Sequence, residues 1–159
     1  MFSKTNKLRI IFAAIAIFAA CLCLYYLTNS NKPEHFAGKT MKGTAPWGAE
    51  ISVSIDRVDE GTVDWSYREE AADHFRKITF HPQNNIIKDG EAAFDYSGIW
   101  DDPDFEQEFQ YSGVLRFKRG HLELTFTDGH KTVVYGDGQK DTVKIDSIPE
   151  EQRTVVLKP

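Results

Sequence analysis

Five carboxylates, Asp101, Asp102, Asp104, Glu106 and Glu108, fall within eight consecutive residues. Acids packed that densely make either a cation-holding loop or a solvated hairpin tip. The calcium loop of an EF-hand needs glycine at its sixth position and a bidentate glutamate at its twelfth. Counted from Asp102, those positions hold Gln107 and Gly113, so the pattern fails. Trp100 and Phe105 flank the charges. Trp100, Asp101, Asp102, Asp104, Phe105 and Glu106 therefore read as a contact loop for a partner protein, since aromatic residues dominate binding hot spots. A loop of this kind could plug the basic cleft of an enzyme or toxin, as an immunity-like inhibitor would.

A second constellation is a short repeat. Phe94-Asp95-Tyr96-Ser97-Gly98-Ile99 resembles Phe109-Gln110-Tyr111-Ser112-Gly113-Val114. Paired antiparallel about Pro103-Asp104, the copies put Tyr96 opposite Ser112 and Ser97 opposite Tyr111. In one reading the rings fill a core and the glycines bend the wall around it. In the other, Trp65, Tyr67, Phe94, Tyr96, Trp100 and Tyr111 line a cavity for a small ligand, with tyrosine hydroxyls orienting it.

The remaining chemistry is thin. The histidines at 35, 74, 81, 121 and 130 have no metal-ligand spacing. No nucleophile motif or glycine-rich phosphate loop is present. No catalytic residue, metal or cofactor is therefore assigned. A carboxylate-dependent hydrolase stays open as an alternative, because its two acids are brought together by folding and not by spacing.

The elements that must position these residues begin with an apolar run from Ile10 to Leu27, preceded by Lys4, Lys7 and Arg9. As a helix it would be about 27 Å long, against about 30 Å of bilayer core. It is expected to be a single transmembrane signal anchor. The basic N-terminus then biases the rest of the chain to the extracytoplasmic side. Lipoprotein anchoring at Cys21 fits less well, because Leu22 to Leu27 continue the apolar run beyond the processing point. Lys32, Lys39 and Lys42 leave the charge bias narrow.

Behind the run come 16 Lys and Arg against 24 Asp and Glu, a formal charge of −8. Nucleic acid is thereby an unsuitable partner. Both cysteines, Cys21 and Cys23, lie in the run, so the remainder has neither disulfides nor thiol chemistry.

Period-two alternation then predicts strands. Ile51, Val53 and Ile55 lead through Asp59-Glu60-Gly61 to Val63, Trp65 and Tyr67. Ile78 and Phe80 mark a strand ended by His81-Pro82, after a brief helical turn over Glu69 to His74. Asp89-Gly90 leads into Ala92, Phe94, Tyr96 and Gly98. Leu115 and Phe117 turn at Arg119-Gly120 into Leu122 and Leu124, and Asp128-Gly129 predicts a further hairpin into Val133 and Tyr135. Thr142 to Asp146 adds a last strand.

The expected chain is a basic N-terminus (1–9), the anchor (10–27), a polar linker (28–42), an antiparallel β domain (43–148) and a charged, disordered tail (149–159). The domain is expected to be mostly β: a small antiparallel barrel, a lipocalin-like up-and-down meander by architectural analogy alone, or a two-sheet sandwich. The expected function is a membrane-anchored, extracytoplasmic binding module for a small ligand or an envelope protein.

Overall fold

The computed structural model describes residues 4–29, 31–71, 77–102 and 104–159; for 4–10, 26–29, 101 and 102 it describes the backbone alone. Helix α1 (Lys4–Asn29) contains the whole apolar run. Among the described residues, however, no helix is long and apolar enough to cross a membrane. The transmembrane anchor expected over 10–27 is corrected accordingly, and the membrane and signal-anchor readings lose their support.

Ten strands follow α1. Three of them, β1 (Thr40–Thr44), β2 (Glu50–Asp59) and β3 (Thr62–Glu70), form a meander. Strand β3 is then shared. Its C-terminal half pairs with β4 (Lys77–Phe80), while Thr62 and Val63 pair with β5 (Asn85–Lys88). A second meander runs through β6 (Glu91–Asp102), β7 (Phe105–Lys118) and β8 (His121–Tyr135). Strands β9 (Lys140–Lys144) and β10 (Thr154–Leu157) occupy opposite ends of β8's free side.

Every pairing is antiparallel, and the sheet runs β1-β2-β3-β5-β6-β7-β8-β10, with β4 and β9 attached beside that path. The two ends of the path meet. Lys42 N–H donates to the Lys158 carbonyl at 2.7 Å, and Lys158 N–H donates back at 2.9 Å. The result is a curled, barrel-like wall, which leaves little bare edge. A Cβ at Gly43, beside this seam, would lie 2.8 Å from the Val156 carbonyl oxygen, so only glycine lets the strands approach.

The tight turns at Glu60-Gly61, Asp89-Gly90 and Arg119-Gly120 fall where the sequence puts them. Four expectations do not survive. Asp128-Gly129 is not a hairpin, because β8 runs straight through it. Thr127 is instead an extra residue in a bulge, since Ser112 pairs with Asp128 while Gly113 pairs with Phe126. The segment after Pro149 is not a disordered tail: β10 buries Val155 and Leu157. The last predicted strand stops at Lys144, and a short 3-10 turn over Ile145–Ser147 buries Ile145. Glu69 and Glu70 belong to β3, not to a helical turn; residues 72–76, with His74, lie outside those described.

The inner face of the wall holds the core. Trp65, Tyr67, Phe80, Phe94, Phe109, Tyr111 and Phe126 are all buried there. Aromatic and β-branched side chains suit such a surface because they fill a pleated, half-enclosed space.

Candidate functional site

The inward face of β3 carries Val63, Trp65 and Tyr67, and the same alternation ends on a charge at Glu69. Glu69 is only 1% exposed. A carboxylate taken out of water is costly unless it is paired and hydrogen-bonded, and this one is both. Its Oε1 accepts from Lys131 Nζ at 2.6 Å and from Trp47 Nε1 at 2.9 Å. Its Oε2 accepts from the hydroxyls of Tyr67 at 2.8 Å and Tyr111 at 3.1 Å. These four donors account for the carboxylate's accepting capacity of about four lone-pair sites.

Each partner arrives from a different place. Lys131 faces inward because the Thr127 bulge reverses the phase of β8: Leu122, Leu124 and Phe126 point in before it, Lys131 and Val133 after it. Trp47 comes from the β1–β2 loop and packs its ring 5.2 Å from Phe126 and 6.1 Å from Tyr111. Tyr111 sits on β7. Burial, joined by the negative charge of Glu69, holds the hydroxyls of Tyr67 and Tyr111 well above the usual tyrosine range. Both are therefore firm donors at neutral pH. Gln107, also buried, donates from Nε2 to the Lys77 carbonyl at 3.1 Å and ties β7 to β4.

The six aromatic residues proposed from sequence as ligand contacts divide. Trp65, Tyr67, Phe94 and Tyr111 are buried, and Tyr96 is half-buried with its ring stacked on Phe80 at 4.9 Å. Tyr67 also stacks on Phe80, at 4.4 Å. Trp65 lies 5.5 Å from Phe94 and donates to Asn85 Oδ1 at 3.1 Å. Trp100 alone stands outside, 48% exposed.

The expected register of the repeat is one residue out. Tyr96 pairs with Tyr111, Ser97 with Gln110, Phe94 with Gly113 and Gly98 with Phe109. The two copies are thus self-complementary, each phenyl ring covering the other copy's glycine. A Cβ on Gly98 would meet Phe109 Cε1 at 2.8 Å, and one on Gly113 would meet Phe94 Cζ at 2.7 Å.

Of the acidic loop, Asp104 and Glu106 are exposed and Phe105 is half-buried; the side chains of Asp101 and Asp102 are not described. Glu108 pairs across the hairpin with Ile99, and the side chains of Ile99, Glu106 and Glu108 are all exposed on the outer face. Among the described residues, no group of three or more His, Cys, Asp or Glu side chains converges as metal ligands.

Sequence reasoning passes over Glu69, Lys131, Trp47 and Gln107. Glu69 was within reach, since extending the Val63-Trp65-Tyr67 alternation by two residues places a charge on the apolar face. Lys131 was not, because its direction depends on a one-residue bulge. No family model matches the chain, and no curated protein matches it.

Proposed function

We propose that this chain is an interaction protein that engages a basic partner through the β6–β7 hairpin, its barrel interior serving as core. The observation that carries this reading is the outer face of that hairpin, where Ile99, 72% exposed, pairs with exposed Glu108 and exposed Glu106 lies two residues further along. An apolar centre with a charged rim is the anatomy of a protein contact. The carboxylates would steer a cationic surface toward it. A small ligand inside the barrel is the weaker reading, because it would have to displace rings already in contact with Phe80, Phe94 and Phe126. Hydrolysis by Glu69 is weaker still, since its oxygens are occupied by four donors of the protein itself.

A photo-crosslinking side chain placed at position 99 in the full chain tests the proposal in the producing cell. A control at Ile86, 71% exposed on β5, reports nonspecific capture. An adduct of one defined mass at 99, absent at 86 and lost on Glu106→Lys with Glu108→Lys, is expected. Identical adducts from both positions, or indifference to the charge reversal, would overturn it.

A further inference from the structure

The outer wall of β1 to β4 is concave, a half-open trough of about 720 Å³ lined by Thr40, Lys42, Ser52, Ser66 and Arg68 and by the carboxylates Glu50 and Glu70. Register fixes what lies across it. Lys158 pairs with Lys42, Lys42 with Ser52, Ser52 with Arg68, and Arg68 with Thr79. Residues paired in this way project to the same face, so one straight row reads cation, cation, hydroxyl, cation, hydroxyl. The neighbouring row is Thr40, Ser54 and Ser66, all hydroxyls, with Thr40 Oγ1 2.7 Å from Ser54 Oγ.

Two features set this row apart. The chain as a whole carries a formal charge of −5, yet two lysines stand directly opposite each other at the seam. Like charges in that position are destabilising. Among the described residues neither lysine has a carboxylate partner, whereas Arg68 is held by Glu70 at 2.7 Å. Glu50 and Glu70 lie one row further along, paired with each other across β2 and β3. The uncompensated positive charge is therefore concentrated on Lys42, which lines the trough, and on Lys158, which stands opposite Lys42 just outside the lining residues.

We infer that this trough binds a phosphorylated polyol, such as a sugar phosphate. The phosphate would bridge Lys42 and Lys158, and the carrier's hydroxyls would lie on Thr40, Ser52, Ser54 and Ser66. Lysine binds phosphate as a point charge, and serine and threonine hydroxyls both donate and accept, as a polyol requires. A trough of this volume lies within the range of small-molecule sites. The site is on different strands from the β6–β7 hairpin, so its failure and that of the partner-binding proposal are separate results.

The test is thermal unfolding of the full chain with glucose 6-phosphate, inorganic phosphate, glucose or sodium chloride, at matched ionic strength. Stabilisation that saturates with glucose 6-phosphate, exceeds that of inorganic phosphate and is absent with glucose or chloride is expected. Lys42→Gln and Lys158→Gln should each weaken the half-saturating concentration about tenfold, the usual loss for one charged hydrogen bond. Neither should lower stability without ligand, since each removes a like-charge contact. Glu106→Lys should leave the response intact. Stabilisation that merely follows ionic strength, or survives both lysine substitutions, would overturn the inference.

Discussion

At the residue scale, Glu69 decides how the interior is read. Its partner Lys131 retains 12% of its side-chain exposure, while Glu69 retains 2%. Lysine can therefore extend its ammonium toward water if the pair is broken, but the carboxylate has no such exit. Removing one member of a buried pair costs about 3–5 kcal/mol, because the other is left uncompensated. Glu69→Leu and Lys131→Met should each lower the urea stability by that order, with Lys131→Met the costlier. The double variant should lose less than the two single losses added together, and full additivity would argue that the pair is not coupled. The tyrosines give a second expectation. Their pKa values in the fold lie above the unfolded value of 10.0. The native state thus keeps protons that the unfolded chain sheds. The contribution is complete below pH 10 and is lost as pH climbs toward the folded values. Above pH 10, stability should fall by about 1.4 kcal/mol per pH unit for each of the two. Tyrosinate absorbance should show Tyr67 and Tyr111 titrating only as the chain unfolds, and Tyr67→Phe should halve the slope.

At the scale of elements, the repeat in β6 and β7 is a packing device. Its two glycines are not equivalent. A methyl group on Gly113 would lie 2.3 Å from the Thr125 backbone carbonyl, whereas one on Gly98 meets only the edge of the Phe109 ring. A ring can shift and a paired backbone cannot. Gly98→Ala should cost within the usual overpacking range of about 1–3 kcal/mol, and Gly113→Ala more, both read from denaturant midpoints. The opposite order would mean that the Phe109 ring is the more rigid neighbour. The repeat was visible in the sequence, but its register was not. Moving the pairing by one residue puts Tyr96 across from Tyr111 and Asp102 across from Phe105. The Asp128-Gly129 signal misled for a related reason. Aspartate and glycine favour a tight turn, yet here glycine is required inside a strand. A Cβ on Gly129 would fall 2.1 Å from the Gln110 carbonyl oxygen, at the bulge that turns Lys131 inward.

At the scale of the whole molecule, alternation exposed the strands and their inward faces, because a period of two is local. Closure was not local. β10 pairs with β8 about 30 residues upstream and meets β1 more than 100 residues upstream, and no short window of sequence carries that information. The charged look of the last eleven residues hid Val155 and Leu157, two alternating apolar positions in a strand of four. The proposed trough depends on this closure, because Lys158 joins its row only through the seam with Lys42. Gly43 is the point at which the seam can be tested apart from the rest. Its Cβ would collide with the Val156 carbonyl and the Val155 side chain at 2.8 and 2.9 Å, so Gly43→Ala should force β1 away from β10. The β7–β8 ladder is built from its own pairs and does not rely on this contact. Amide exchange should therefore accelerate at Lys42 and Lys158 while Leu115 and Leu124 stay protected, as expected of a local opening and not of global unfolding. The same substitution should abolish the response to glucose 6-phosphate without touching either lysine. Uniform loss of protection would instead make the seam part of a single cooperative unit with the core.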